Sequence, residues 1–179
     1  MKKTPHSHIT WLTISEAANI LKSTLGETTG ETDILHLALE DNFPIYLRTD
    51  HTPARRVKPH YCENTARTIW KHIDDIHTFK QFEEPQKLEL KESNSKKSLW
   101  HLMSNTLTSS FVDAGVIIES DGDYWMILNP HPHEDYAKRQ STKPAWLTPR
   151  TDFPRKDELT INIGDIEHFE NSHPTSPHK

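Results

Sequence analysis

From Gly115 to Leu128 the chain reads GVIIESDGDYWMIL, two apolar, β-favouring runs that meet at Asp121-Gly122. Asp-Gly is the dipeptide a two-residue hairpin turn selects, because both central residues of a type I′ turn need positive φ. This stretch commits part of the molecule to an antiparallel pair. The N-terminus commits another part to helix. Thr13 and Glu16 give a T-x-x-E capping box, Ile14, Ala17, Ala18, Leu21 and Leu25 recur at helical spacing, and Gly26 closes the run. A second helix begins near Gly30 to Thr32, buries Ile34, Leu35, Ala38 and Leu39, and stops at Asn42, before Phe43 and Pro44. The fold class is α+β.

The remaining elements follow from the same periodicities. FPIYLRT reads as a strand with Phe43, Ile45 and Leu47 on one face. Residues 50 to 64, rich in Pro, His and Arg, read as irregular. A helix is predicted from Thr65 to Phe79 with Ile69, Ile73 and Ile76 inward, and Asp74-Asp75 solvated on its other face. KLELK is a short strand within a connector, and a helix from Lys96 to Phe111 presents Leu99, Leu102, Met103 and Leu107. Residues 129 to 157 read as largely irregular. ELTINI is a final strand, and Asp165 caps a last helix carrying Ile166 and Phe169. The tryptophans read mainly as core anchors, with Trp11 and Trp146 as half-exposed contact residues.

Composition narrows the class of function. Hydrophobic content is 33% over 179 residues, which suits a thin core with polar loops. The net charge of -5 gives no global pull toward a polyanion. A single cysteine, Cys62, excludes an intrachain disulfide and a multi-cysteine zinc site, and fits a reducing compartment. No apolar stretch spans a bilayer, and Lys2 and Lys3 lead into no secretory apolar segment, so the expected location is the cytoplasm, with no membrane partner.

Leu12 to Leu21 reads LTISEAANIL, and Leu159 to Glu170 reads LTINIGDIEHFE. This pair of segments resembles the opening helix and closing strand-helix of excisionase-like and MerR-like winged-helix domains. The whole chain is also similar to bacterial and prophage-borne proteins that begin W-L-T-x-x-E-A-A. The resemblance implies a winged-helix-like core from residues 11–49 and 158–170, namely an N-terminal helix pair, a wing strand and a C-terminal strand-helix. Residues 50–157 would be a large insertion with two helices and a hairpin, and 1–10 and 171–179 loose ends.

In such a domain the second helix enters the major groove and the wing touches the backbone. Here that helix carries Glu31, Asp33, Glu40 and Asp41 and no Lys or Arg, leaving His36 as a minor base reader. Cations concentrate elsewhere. Arg48, Arg55, Arg56, Lys58, Arg67 and Lys71 face only Asp50 and Glu63 over residues 48 to 71, and a second stretch holds Lys138, Arg139, Lys143, Arg150, Arg155 and Lys156. A DNA-binding reading therefore places phosphate contacts at Arg48, Arg55, Arg56 and Lys58. That reading fails if Arg55 and Arg56 point into a packed interior or pair fully with carboxylates.

Other constellations carry less. His131 and His133, with Glu134 and Asp135, have a spacing that can chelate a transition metal, against the plain reading of an exposed loop in a chain with 13 His. His60 and Cys62 are too sparse a pair for a thiol nucleophile, and His72 and His77 share a predicted helix without sharing a face. Gly-rich phosphate loops, GxSxG and HExxH are absent. The expectation is a non-enzymatic DNA-binding protein, regulatory or associated with a mobile element, with no cofactor. The alternative is a protein-interaction module that uses the acidic helix or the insertion. A metal-dependent enzyme built on His131 and His133 is a third, weaker reading.

Overall fold

The computed structural model describes residues 10–40, 43–74, 78–91, 95–103, 115–129 and 148–174, with backbone alone for 101–103 and 148. Two helices follow a short first strand: β1 (Trp11–Leu12), α1 (Ile14–Leu25) and α2 (Glu31–Leu39). Next come β2 (Tyr46–Leu47), β3 (Pro53–Cys62), β4 (Arg67–His72), β5 (Lys80–Gln81) and β6 (Gln86–Leu88). The chain continues through α3 (Ser95–Met103), β7 (Ile117–Ser120), β8 (Asp123–Asn129), β9 (Thr148–Pro149), β10 (Leu159–Asn162) and α4 (Ile163–Ser172). The molecule is α+β, as the sequence predicts.

Among the described residues the strands form one antiparallel sheet in the order β1-β10-β2-β6-β7-β8-β3-β4. β5 pairs with β3 at Pro53 and Ala54, and β9 pairs with β8. Because Ala54 also pairs with Ile127 of β8, β5 occupies the same side of β3 as β4, end to end with it. This sheet is larger than a winged helix carries. β2 lies between β10 and β6, so strands from residues 50–157 extend the sheet that the terminal segments begin.

Cross-strand pairing assigns each residue to a face. Ile45, Leu47, Ala54, Leu88, Val116, Ile118, Ile127, Leu159 and Ile161 share one face and pack with the helices into the main hydrophobic cluster. The opposite face holds a smaller cluster of Val57, Ile117 and Met126, with Trp70 and Tyr124 against it. The helices therefore lie on one side of the sheet. α1 buries Ile14, Ala17, Ala18 and Leu21, and α2 buries Ile34, Leu35, Ala38 and Leu39, the faces that the spacing predicts. Thr13 and Glu16 close the predicted capping box, with Glu16 N–H donating to Thr13 Oγ1 at 3.1 Å. Asp121 and Gly122 have φ of 52° and 81°, so the β7–β8 hairpin turns as an Asp-Gly turn should.

Several expectations are corrected. Within the predicted 65–79 helix, Arg67–His72 form strand β4, and the expected inward positions Ile69 and Ile73 are 42% and 44% exposed; Ile76 lies outside the described residues. β-Branched residues at 68 and 69 fit either period over so short a run, and the ladder to β3 decides it. The supposedly irregular 50–64 segment is mostly β3. Thus the segment 50–157 contributes one helix among the described residues, α3. His72 stands on a strand, and His77 lies outside the described residues. Asp74 is not solvated alone but pairs with Arg56. α4 is capped by Asn162, whose side chain accepts from Gly164 N–H at 2.8 Å, and Asp165 falls in the first turn, where the helix dipole favours an acid. Trp100 is 55% exposed and is not a core anchor.

Candidate nucleic-acid interface

β3 outruns its neighbour. β8 pairs with it only from Ala54 to Val57, and from Lys58 to Cys62 its partner among the described residues is β4 alone. Residues 58–71 thus project as a two-stranded ribbon, about 17 Å from the sheet to the turn at ~3.4 Å per residue. The turn is closed by Thr65 N–H donating to the Cys62 carbonyl and Ala66 N–H to that of Glu63, both 3.3 Å. Ala66 takes a left-handed φ of 50° there.

Pro59 is compatible with the ribbon for a geometric reason. Ile73 N–H donates to Arg56 C=O at 3.2 Å, which fixes the phase of the ladder. Hydrogen-bonded pairs then alternate, so Lys58–Lys71 is bonded and Pro59–Trp70 is not. The proline nitrogen faces the open edge, where a missing N–H costs no ladder bond and discourages pairing with another chain.

The register gives the ribbon two different faces. Lys58 opposes Lys71, His60 opposes Ile69 and Cys62 opposes Arg67 on the face that continues the helical side of the sheet. Pro59 opposes Trp70 and Tyr61 opposes Thr68 on the other face. Trp70 meets Tyr124 edge to face at 5.3 Å, which ties the ribbon's base to β8, whereas Tyr61 is 61% exposed. Glu63, at the turn, is the one acid between residues 58 and 71. Thr65, through its side chain and backbone, and the charge of Lys71 hold the Cys62 thiol below its usual pKa.

Like charges directly across a ladder are destabilising. Several other cations are matched. Arg56 makes a two-pronged contact to Asp74 at 2.8 and 3.0 Å and lies 3.6 Å from Asp123. Arg150 reaches Glu158 at 2.9 Å, Arg155 reaches Asp157 at 3.3 Å, and Lys156 reaches Glu31 at 3.4 Å. Lys58, Arg67 and Lys71 form no ion pair among the described residues, and all three are exposed.

The expected site residues are only partly brought together. Lys58 belongs to the ribbon. Arg48, exposed after β2, donates its backbone N–H to Glu158 at 2.9 Å. Its charge adds to the Thr13 hydrogen bonds that hold Glu16 below the usual carboxylate range. Arg55 is 8% exposed, and its Nε has no hydrogen-bond partner among the described residues. Burial first, and Arg55's charge second, push the His72 imidazole below its ordinary pKa. The condition under which that DNA-binding reading fails is met at both arginines, Arg55 by burial and Arg56 by its pairing with Asp74 and Asp123, so neither is available as the expected phosphate contact.

His36 meets Trp100 of α3 edge to face at 5.6 Å, so α3 packs against the would-be recognition helix. Two of that helix's acids have structural partners: Asp33 accepts from Gly30 N–H at 2.8 Å, and Glu31 takes Lys156. His131 and His133 lie outside the described residues, as do Lys138, Arg139, Lys143 and Trp146. Among the described residues no group of three or more His, Cys, Asp or Glu side chains could hold a metal, and no helix is long and apolar enough to cross a membrane. Arg67 and Lys71, part of the expected cationic run but not named as phosphate contacts, and His60 and Tyr61 join Lys58 on the ribbon. Their signal was the pair of alternating runs VKPHYC and RTIWKH around a polar Glu-Asn-Thr-Ala turn.

No protein-family model, curated protein or solved structure matches the chain.

Proposed function

We propose that the protein binds nucleic acid in a non-enzymatic, regulatory role, and that the β3–β4 ribbon makes the contact. The observation that carries this reading is the Lys58–Lys71 cross-strand pair, with Arg67 further along the same face of β4 and none of the three in an ion pair among the described residues. A cation cluster that lowers stability in the free protein is offset when phosphates lie against it. A two-stranded ribbon also fits the major groove, which is about 12 Å wide. Lys58, Arg67 and Lys71 contact phosphates, His60 and Tyr61 lie within reach of base or sugar, and Arg56 holds the ribbon's base through Asp74.

The test is anisotropy of a labelled duplex titrated with the protein and with a Lys58→Glu/Lys71→Glu variant at low salt. The variant should lose at least about tenfold in affinity while its circular dichroism spectrum and melting temperature are retained. Equal binding by a folded variant removes the ribbon from the interface.

A second reading has its own observation. β4 is the last strand of the described sheet and presents exposed Ile69 and Ile73. A protein partner that adds a strand there would use this open edge. Ile69→Asp would abolish that pairing and leave duplex binding weakened by less than the lysine reversals.

A further inference from the structure

On the helical side of the sheet, α2, α3 and the segment after β6 border an open surface cavity of about 670 Å³. Its size is that of a small-molecule or nucleotide site. Trp100 forms one wall at 55% exposure, with Leu39 and Leu90 as further apolar surface. Lys91, Lys96 and Lys97 line it, with His36 and a single acid, Glu40. None of these lysine side chains forms an ion pair among the described residues.

The local sequence explains the cluster. In α3 the buried residues are Ser95, Ser98 and Leu99, so Trp100 shares the outward face with Lys97 and Lys96, three and four residues before it. His36 lies against the indole edge to face at 5.6 Å and fixes its position across the gap between α2 and α3. An aromatic face beside three ammonium groups that form no ion pair among the described residues matches a ligand with a flat ring and a phosphate. The basic face of the ribbon lies on the same side of the sheet, and β6 and β3 are three strands apart, about 14 Å at ~4.8 Å per strand.

We infer that this cavity receives an unpaired nucleotide of a nucleic-acid strand, with the base against Trp100 and the phosphate held by Lys91, Lys96 and Lys97. The inference rests on the nucleic-acid reading of the ribbon and deepens it, because it makes single-stranded or locally opened substrate the preferred one. Aromatic stacking tolerates any base, so the cavity selects strand state and not sequence.

Binding of an oligothymidylate and of a duplex of equal length by the full chain tests this. Trp100→Ala should weaken the single strand about tenfold or more and leave the duplex unchanged, whereas Trp100→Phe should keep most of the affinity. Lys96→Ala/Lys97→Ala should lower the single-strand salt slope by about 1.4, at ~0.7 per phosphate. Lys58→Ala/Lys71→Ala should weaken both ligands. Single-strand binding that ignores Trp100 and the cavity lysines overturns the cavity while the ribbon stands. Sensitivity to the lysines but not to Trp100 also overturns it, because the site then reads phosphate alone. If the cavity variants act on the single strand and the ribbon variants act on neither ligand, the cavity stands and the ribbon falls. Equal displacement by polyglutamate and by oligothymidylate assigns the cavity to an acidic protein segment and overturns the proposal.

Discussion

Adjacent arginines on β3 show how far neighbouring residues can differ. Arg55 and Arg56 point to opposite faces of one strand. Arg56 is neutralised by Asp74 and Asp123, whereas Arg55 sits beside a titratable His72 with no carboxylate partner among the described residues. Arg56→Ala should therefore lower the melting temperature through the freed Asp74, while the salt slope of duplex binding stays unchanged. Lys71→Ala should do the reverse: binding loses about 0.9 from the slope, and stability holds or rises as the like-charge pair disappears. Glycine is the natural residue at the left-handed position Ala66 in the ribbon turn. Ala66→Gly should leave stability unchanged or raise it by about 1 kcal/mol, read by urea denaturation. A clear loss would show that the turn relaxes away from this conformation.

At the scale of elements, what was legible depended on whether local signals had competitors. The Asp121-Gly122 hairpin and the Thr13 capping box are set by groups within a few residues of each other, and both form as their sequences require. Replacing Gly122 by Ala should cost about 1–2 kcal/mol, because a left-handed conformation is then imposed on a side chain. The ribbon was hidden because its two strands are stabilised by each other. Pro59 and the polar residues around it read as irregular, and Ile69 and Ile73 read as a helical stripe, until the six-residue ladder between β3 and β4 assigns both. The cations of the proposed interface stand out in the sequence as a charge run. Its geometry does not, because the run of cations mixes Lys58, which is free, with Arg56, which is bound to Asp74 from a distant point of the chain. In the second basic stretch Arg150, Arg155 and Lys156 each find a carboxylate, while Lys138, Arg139 and Lys143 lie outside the described residues.

For the whole molecule, pH should act on the seam where the chain ends meet the sheet. Glu158 is partly buried, which alone would raise its pKa. Hydrogen bonds from Arg150 and the Arg155 backbone, and the charges of both arginines, outweigh this and hold it below the ordinary value of 4.5. A depressed carboxylate contributes stability above its unfolded pKa and loses it as pH falls through the folded one. Glu158→Gln should flatten the acid limb of the stability curve below about pH 4.5, followed by thermal melts. On the alkaline side, burial and the neighbouring Asp165 push the Tyr46 hydroxyl well above its usual range, so stability should decline above pH 10 as the unfolded tyrosine ionises first.

The claim that joins these scales is that a ribbon of uncompensated cations, in a protein of net charge -5, is a polyanion site. The most direct measurement is the slope of log binding constant against log salt for a labelled duplex, taken for the native chain and for Lys58→Ala/Lys71→Ala. The expected result is steep salt dependence in the native chain and a slope smaller by about 1.8 in the variant, one released counter-ion per lysine. Duplex binding whose salt slope is the same in both proteins, or no binding at low salt, would contradict it.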